Sequence, residues 1–404
     1  MTDTLKPRDS KEVEDAVRWA IANDKALEIA GRGTKRAIGR PSQTDITLDL
    51  SGLTGVTLYE PEELILSAKA GTPLAEIEAL LDKNGQELAF EPMDYAALLG
   101  GKAGDGSIGG AIAANLSGPR RIKAGAARDH FLGVTAVSGR GEAVKSGGRV
   151  VKNVTGYDLC KIFAGSWGTL GAMTGITVKV LPKAETEATV VVTGLDDVRA
   201  SEAMTAAMGS PFDISGAAHL PDHVAALFPG LPGAEASTVL RIEGFAPSVA
   251  HRKAALIELL KPFGMAATVA EKESRLLWRG IRDAQAFATD RARHRPLWRI
   301  STAPTKGHQI VAQLTPAAQS FYDWAGGLLW VAMPYADEPD AAAIRKAVQK
   351  VGGHATLIRA PAPVRAALDV FPPQDEGVAA LNKRVKESFD PKGVLNPGRM
   401  WAGI

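Results

Sequence analysis

The stretch Gly106-Ser107-Ile108-Gly109-Gly110-Ala111-Ile112-Ala113-Ala114-Asn115-Leu116-Ser117-Gly118 decides how this chain reads. Its small residues let backbone pack directly against a flat, extended ligand, and Asn115 and Ser117 offer side-chain hydrogen bonds. It lies within residues 100–176, where 18 of the 42 glycines fall in 77 positions. Even spreading would place about 8 there, so the excess calls for a backbone explanation.

Two further glycine loops flank it. Upstream, Gly31-Arg32-Gly33-Thr34-Lys35 lies between expected strands at Ala26–Ala30 and Ile46–Leu50. Successive N–H groups in such a loop form an anion nest. Arg32 and Lys35 add positive charge and Thr34 a hydroxyl, so a pyrophosphate suits it; a surface hairpin with a basic rim is the alternative. Arg36 stands where G-x-G-x-x-G needs its last glycine, and the Gly33–Gly39 spacing fits no Walker A loop. Downstream, Gly165-Ser166-Trp167-Gly168-Thr169-Leu170-Gly171-Ala172-Met173-Thr174 leads into a strand at Ile176–Leu181 that Pro182 ends.

Farther out, Ser10 is expected to cap a helix whose apolar face carries Val13, Ala16, Val17, Ala20 and Ile21. A strand near Leu64 precedes a helix capped by Thr72, with Pro73 at its first position and Leu74, Ile77, Leu80 and Leu81 as its buried stripe. Val134–Val137 reads as another strand. Beyond residue 184, strand-like runs at Ala188–Thr193, Thr238–Glu243, Leu297–Thr302, Leu328–Met333 and Ala355–Arg359 alternate with helices at Val198–Met208, Val249–Leu260 and Ala341–Val351. That pattern predicts an α+β domain, with loops at 209–236 and 360–376. A last helix carries Val378, Leu381, Val385 and Phe389 on one face, and Asp390-Pro391 stops it. The predicted domains are 1–184, with subdomains of about 1–56 and 57–184, then 185–376, then a C-terminal segment 377–404.

With 404 residues, 45% apolar and 23% charged, the chain can bury sizeable cores. A net charge of +2 gives no electrostatic case for nucleic acid or an anionic membrane. The single cysteine, Cys160, excludes an intrachain disulfide and a cysteine-only iron–sulfur site. No secretory signal or bilayer-spanning apolar run is visible, so the expected location is cytoplasmic, with any membrane contact made through partners.

In this order, the three glycine loops resemble the FAD-binding domain of the vanillyl-alcohol oxidase/p-cresol methylhydroxylase family. Gly31 to Lys35 is similar to its pyrophosphate loop, Ser107 to Gly118 to its second FAD loop, and Gly156 to Thr174 to its third. The segment Phe389 to Met400 resembles its C-terminal return to the flavin. The likeness covers about residues 8–184 and 378–399. It implies an α+β fold: a two-subdomain p-cresol methylhydroxylase-type FAD-binding domain, an α+β cap domain with an antiparallel sheet, and a C-terminal helix returning to the FAD domain. It also implies FAD contacts from Gly31, Arg32, Gly33, Thr34, Lys35, Gly106, Ser107, Ile108, Gly109, Gly110, Asn115, Ser117, Gly118, Gly168, Thr169, Gly171, Ala172, Met173 and Asn396. Family members usually carry GSEGTLG in the third loop; here Trp167 takes the acidic position. Some members hold FAD covalently through a first-loop histidine. Residues 31–39 contain none, which implies non-covalent FAD.

Within that family the pattern resembles the E-type FAD-binding subunits of glycolate oxidases. Such a resemblance implies an FAD-dependent oxidoreductase acting on CH–OH groups, partnered by a sister FAD subunit and an iron–sulfur subunit. The H-x-G-D-G-N-x-H metal motif of sister subunits and D-lactate dehydrogenases is missing: His308 and His354 lack partner histidines, so no metal is expected. Arg275, Arg279, Arg282, Arg291, Arg293, Arg295 and Arg299, with Trp278 and Trp298, could clamp a 2-hydroxy acid, line a subunit interface or be solvated. Tyr157, next to Asp158, and Lys152 just before them are candidates for acid–base work near a flavin or for fixing a loop. Cys160 reads as a buried spacer. A redox subunit, a free-standing 2-hydroxy-acid dehydrogenase and a non-catalytic assembly subunit all remain compatible with these residues.

Overall fold

The computed structural model describes residues 3–148, 157–228, 231, 235–289, 294–335, 337 and 339–403. The chain forms two compact units. The first comprises Met1–Leu116, Ala126–Lys183 and Arg365–Ile404; the second comprises Ser117–Gly125 and Ala184–Val364.

In the first unit, a three-stranded parallel sheet runs in the order Asp3–Leu5, Ile46–Asp49, Leu27–Ala30. The helix Ser10–Ala22 packs Val13, Val17 and Ala20 against Leu27, Ile46 and Leu48. Its cap is Asp9, not Ser10: the Asp9 carboxylate accepts the Glu12 N–H at 2.9 Å from extended backbone, and Ser10 is already helical. A five-stranded antiparallel sheet follows, ordered Val56–Glu60, Ile65–Lys69, Gly171–Lys179, Phe131–Ser138, Ala143–Gly147. The helix Leu74–Lys83 lays Leu74, Ile77 and Leu81 into its core beside Leu66, Val134 and Ile176. Thr72 does not cap this helix. Its buried hydroxyl donates to the Lys69 carbonyl at 2.6 Å and accepts the Gly55 N–H at 3.0 Å, and Pro73 precedes the helix without a side-chain bond.

The second unit holds an eight-stranded antiparallel sheet. Its order is Ala266–Val269, Thr186–Thr193, Ser237–Gly244, Ile214–Leu220, Gln319–Asp323, Leu328–Ala332, Leu297–Ser301, His354–Arg359. Helices Asp197–Met208 and Ala246–Leu260 cover Val190, Val192, Leu240 and Ile242 through Ala203, Met204, Val249 and Leu256. Segment 209–236 is not the loop expected from sequence: it contains the fully buried strand Ile214–Leu220. The strand's Ser-Gly-Ala-Ala core has weak β propensity. Packing explains it, because a Cβ on Gly216 would stand 2.9 Å from the Trp278 ring. Strands Ala266–Val269 and Gln319–Asp323 also escaped the sequence reading, and the expected loop 360–376 holds the short helix Ala362–Ala367.

The last helix, Glu376–Phe389, buries less than its stripe suggests. Val385 and Phe389 pack on the five-stranded sheet's core, but Val378 and Leu381 are 45% and 51% exposed. Lys386 is buried instead. Its ammonium bonds the Asp390 carboxylate at 2.6 Å and the carbonyls of Thr169 and Leu395 at 2.7 and 2.9 Å. Beyond the helix, Leu395 bridges Leu27 in parallel. Among the described residues, no helix is long and apolar enough to cross a membrane.

Candidate functional site

A cleft opens in the first unit where the glycine loops meet. It is lined by Gly31, Arg32, Gly33, Thr34 and Lys35 from the first loop, Ser107, Gly109 and Gly110 from the second, and Gly168, Gly171 and Met173 from the third.

The first loop turns through Gly33 at φ +76°. The Arg32 guanidinium is steered by the Asp105 carbonyl at 2.9 Å. Lys35 is 8% exposed, and its ammonium lies 3.3 Å from the Thr34 hydroxyl. Burial pushes this ammonium down to about 8; Asp94 opposes the shift and Arg399 adds to it. The second loop starts at Ser107, whose hydroxyl accepts the Gly110 N–H at 3.3 Å. The two loops approach closely: a Cβ on Gly31 would come within 3.0 Å of the Ser107 hydroxyl, and one on Gly110 within 3.4 Å of the Lys35 ammonium. Gly109 is small for another reason besides. Its Cβ would stand 2.7 Å from the Ala70 carbonyl and 2.8 Å from the Ala70 methyl, so protein backbone already fills that side.

The third loop is held from behind. Trp167 and Gly168 both have positive φ, +53° and +74°. Asn396, itself at φ +44° and fully buried, donates its amide to the Trp167 carbonyl at 2.8 Å and accepts the Ile29 N–H at 2.9 Å. A Cβ on Gly168 would meet that amide at 2.8 Å. Asn396 therefore ties the third loop, the strand Leu27–Ala30 and the C-terminal segment together without itself lining the cleft.

Other expected contacts also lie off the lining. The Gly106 carbonyl accepts the Leu74 N–H at 2.9 Å. Ile108 and Ala172 sit in hydrophobic cores. Asn115, at φ +50°, accepts the Arg128 N–H at 3.1 Å. The Thr169 hydroxyl donates to the Ser166 carbonyl at 2.7 Å. Ser117 and Gly118 belong to the second unit, where the Gly118 carbonyl accepts the Trp324 indole N–H at 2.9 Å.

The lining includes residues that are not among the expected FAD contacts: Ile29, Ala30, Arg36, Leu50, Ala70, Ala113, Trp167 and Arg399. Trp167 and Arg399 fall inside quoted motifs, so a signal existed for both. Arg36 is occupied by an ion pair with Glu28. Arg399 is 7% exposed, donates to the Lys35 carbonyl at 2.9 Å, and is lowered to about 10 by burial against an opposing Glu28 charge. Facing loops without Cβ atoms and the enclosed cations Lys35 and Arg399 suit a dinucleotide pyrophosphate. FAD fits this donor set.

The arginine- and tryptophan-rich segment is not a continuous surface. Trp278 and Trp298 are buried core residues; their indoles donate to the Thr189 hydroxyl and the Pro339 carbonyl, each at 2.8 Å. Arg275 pairs with Glu271 and Arg282 with Asp283. Arg299 and Arg121 lie over the Trp324 ring, 4.9 and 4.3 Å from its centroid. Arg291, Arg293 and Lys152 lie outside the described residues. Tyr157 is exposed. Cys160 is buried with its thiol pushed up to about 11 by burial, which leaves it unreactive.

A family described as an FAD binding domain matches residues 4–147. The chain is 32% identical to the glycolate oxidase subunit GlcE of Escherichia coli (strain K12) over 98% of both chains. It is 26% identical to the glycolate oxidase subunit GlcD of Bacillus subtilis (strain 168) over 98% of this chain and 88% of that one. Among solved structures, p-cresol methylhydroxylase with substrate bound shares the fold at TM-score 0.72 and 13% identity, over 99% of this chain and 88% of that one. The three glycine loops, the cleft they build and the end-to-end likeness to GlcE agree: the chain belongs to the FAD-binding oxidoreductases of the glycolate oxidase subunit type.

Proposed function

We propose that this chain binds FAD non-covalently in the glycine-loop cleft and serves as one subunit of a multi-subunit glycolate oxidase or dehydrogenase. The complex oxidises glycolate to glyoxylate and passes the electrons to a partner subunit. Its other members are a sister FAD subunit and an iron–sulfur subunit, and it works in the cytoplasm or at the inner face of the membrane. The observation that carries this reading is 32% identity to GlcE over nearly the full length of both chains. Non-covalent binding is supported by a first loop, residues 31–39, that contains no histidine.

Bound FAD would supply the redox chemistry, as hydride acceptor for the CH–OH carbon of a 2-hydroxy acid. The chain's own residues bind and orient. Lys35 and Arg399 bring enclosed positive charge to the pyrophosphate, and Arg32 and Thr34 add donors at the rim. Ser107 holds the second loop's backbone in place through Gly110. Asn396 fixes the third loop from behind. A 2-hydroxy acid also needs a group to polarise it, and the sequence lacks the paired-histidine motif that sister subunits carry. That favours a shared catalytic task over a free-standing dehydrogenase.

The test is direct. The purified chain is expected to be yellow, and acid precipitation should release FAD into the supernatant. Flavin that stays in the pellet would reject non-covalent binding, and a colourless protein that takes up no added FAD would reject the whole reading.

A further inference from the structure

We propose that Trp167 and Arg399 form a clamp on the cofactor: the Trp167 indole covers an aromatic ring of the dinucleotide, and the Arg399 guanidinium donates to one of its anionic oxygens. This rests on the FAD reading above.

Trp167 lines the cleft from a left-handed backbone, φ +53°, which a bulky side chain adopts only where its surroundings hold it. Three contacts do so. Its N–H donates to the Ala113 carbonyl at 2.9 Å, its carbonyl accepts the Asn396 amide at 2.8 Å, and its indole meets the Phe371 ring edge-on at 5.5 Å. The strain is thus maintained on the cleft wall, and the ring is braced from outside the cleft.

Arg399 supplies the second observation. Its guanidinium carbon lies 5.7 Å from the Trp167 centroid. One terminal nitrogen reaches the Lys35 carbonyl, but the buried Nε has no hydrogen-bond partner among the described residues. A buried guanidinium with an unmet donor calls for an acceptor. The carboxylate that opposes its charge, Glu28, is already engaged by Arg36. A neutral ring at position 167 leaves the Arg399 donor for the ligand, whereas an acid there would supply an acceptor from the protein and compete.

The experiment titrates apoprotein with FAD and reads the dissociation constant and the emission of bound flavin. Trp167→Phe should stay within about threefold of wild type, because a ring is retained. Trp167→Gln should weaken binding about tenfold, the scale of one lost stacking contact. Trp167→Glu should weaken it roughly tenfold beyond the glutamine, because the acid pairs with Arg399. Thermal melts establish that each variant folds. If the glutamate variant does not, Arg399→Gln decides the same point and should weaken FAD about tenfold. A rise in bound-flavin emission in Trp167→Gln would identify the covered ring as the isoalloxazine; weakened affinity at unchanged emission would identify it as the adenine. Wild-type affinity in both the glutamine and glutamate variants would overturn the clamp, and equal affinities for those two would overturn the Arg399 half. Failure of wild-type protein to bind FAD would instead overturn the reading beneath it.

Discussion

If Lys35 holds the FAD pyrophosphate as proposed, FAD binding depends on pH. Its ammonium titrates at about 8 in the folded chain, against an ordinary value of 10.5, because burial disfavours the charged form. Between those values the unfolded chain binds more protons. The apoprotein therefore gains stability as pH rises from 8 to 10.5, and below pH 8 it bears the full cost of the enclosed charge, on the order of 3 kcal/mol. A pyrophosphate bound there would reverse the balance by pairing with the ammonium. The expected outcome is an FAD affinity that falls as pH rises through about 8. In Lys35→Met it should be weaker at pH 7 and nearly flat with pH. A wild-type affinity independent of pH from 7 to 9.5 would remove Lys35 from the pyrophosphate site. Gly109 makes a different case. A valine there collides with Ala70 before any ligand arrives, so Gly109→Val should lower the melting temperature of the apoprotein as well as abolish FAD retention. Loss of flavin with an unchanged apoprotein melt would show that the ligand alone needs the space.

At the scale of elements, the glycine loops were legible because their chemistry is local: backbone N–H groups, missing Cβ atoms and adjacent cations are written in consecutive residues. The wall supplied by Ile29, Ala30, Leu50 and Ala70 was not, because those positions reach the cleft only through the sheets. The strand Ile214–Leu220 was hidden for a related reason: its small residues suit the Trp278 ring rather than a strand propensity. In the last helix only the Val385 and Phe389 end of the apolar face packs on the core, while Lys386, a residue type that sequence rules place outside, is buried. Asp390 accepts the N–H groups of Val394 and Leu395 at 3.0 and 2.8 Å as well as the Lys386 ammonium, and so sets the turn that returns the chain to Leu27 and Asn396. Replacing one partner leaves a buried charge, and Asp390→Ala should cost about 3–5 kcal/mol. Flavin should dissociate along with the C-terminal segment. An unchanged melting curve would show that this pair does not hold the return.

For the whole molecule, the question is what remains on the surface for assembly. The helix Glu271–Arg282 turns Trp278 inward and leaves Lys272, Leu276 and Arg279 outward. A double Trp278/Arg279 replacement would therefore mix loss of core with loss of surface. The single changes separate them. Trp278→Ala removes a buried ring that holds Thr189 and fills the space beside Gly216, so it should destabilise the chain by about 3–5 kcal/mol whether or not partners are present. Arg279→Ala should leave the melt unchanged, since it touches no core. With one cysteine the chain cannot ligate a conventional iron–sulfur cluster alone, so in the proposed complex a one-electron relay falls to the iron–sulfur subunit. Anaerobic glycolate should accordingly fail to bleach the flavin of the isolated chain and should bleach it once the sister and iron–sulfur subunits are co-purified. If Arg279 belongs to the assembly surface, Arg279→Ala should reduce that co-purification while FAD stays bound. Full co-purification of Arg279→Ala would move the docking surface off this helix, and rapid bleaching of the isolated chain would make it a dehydrogenase in its own right.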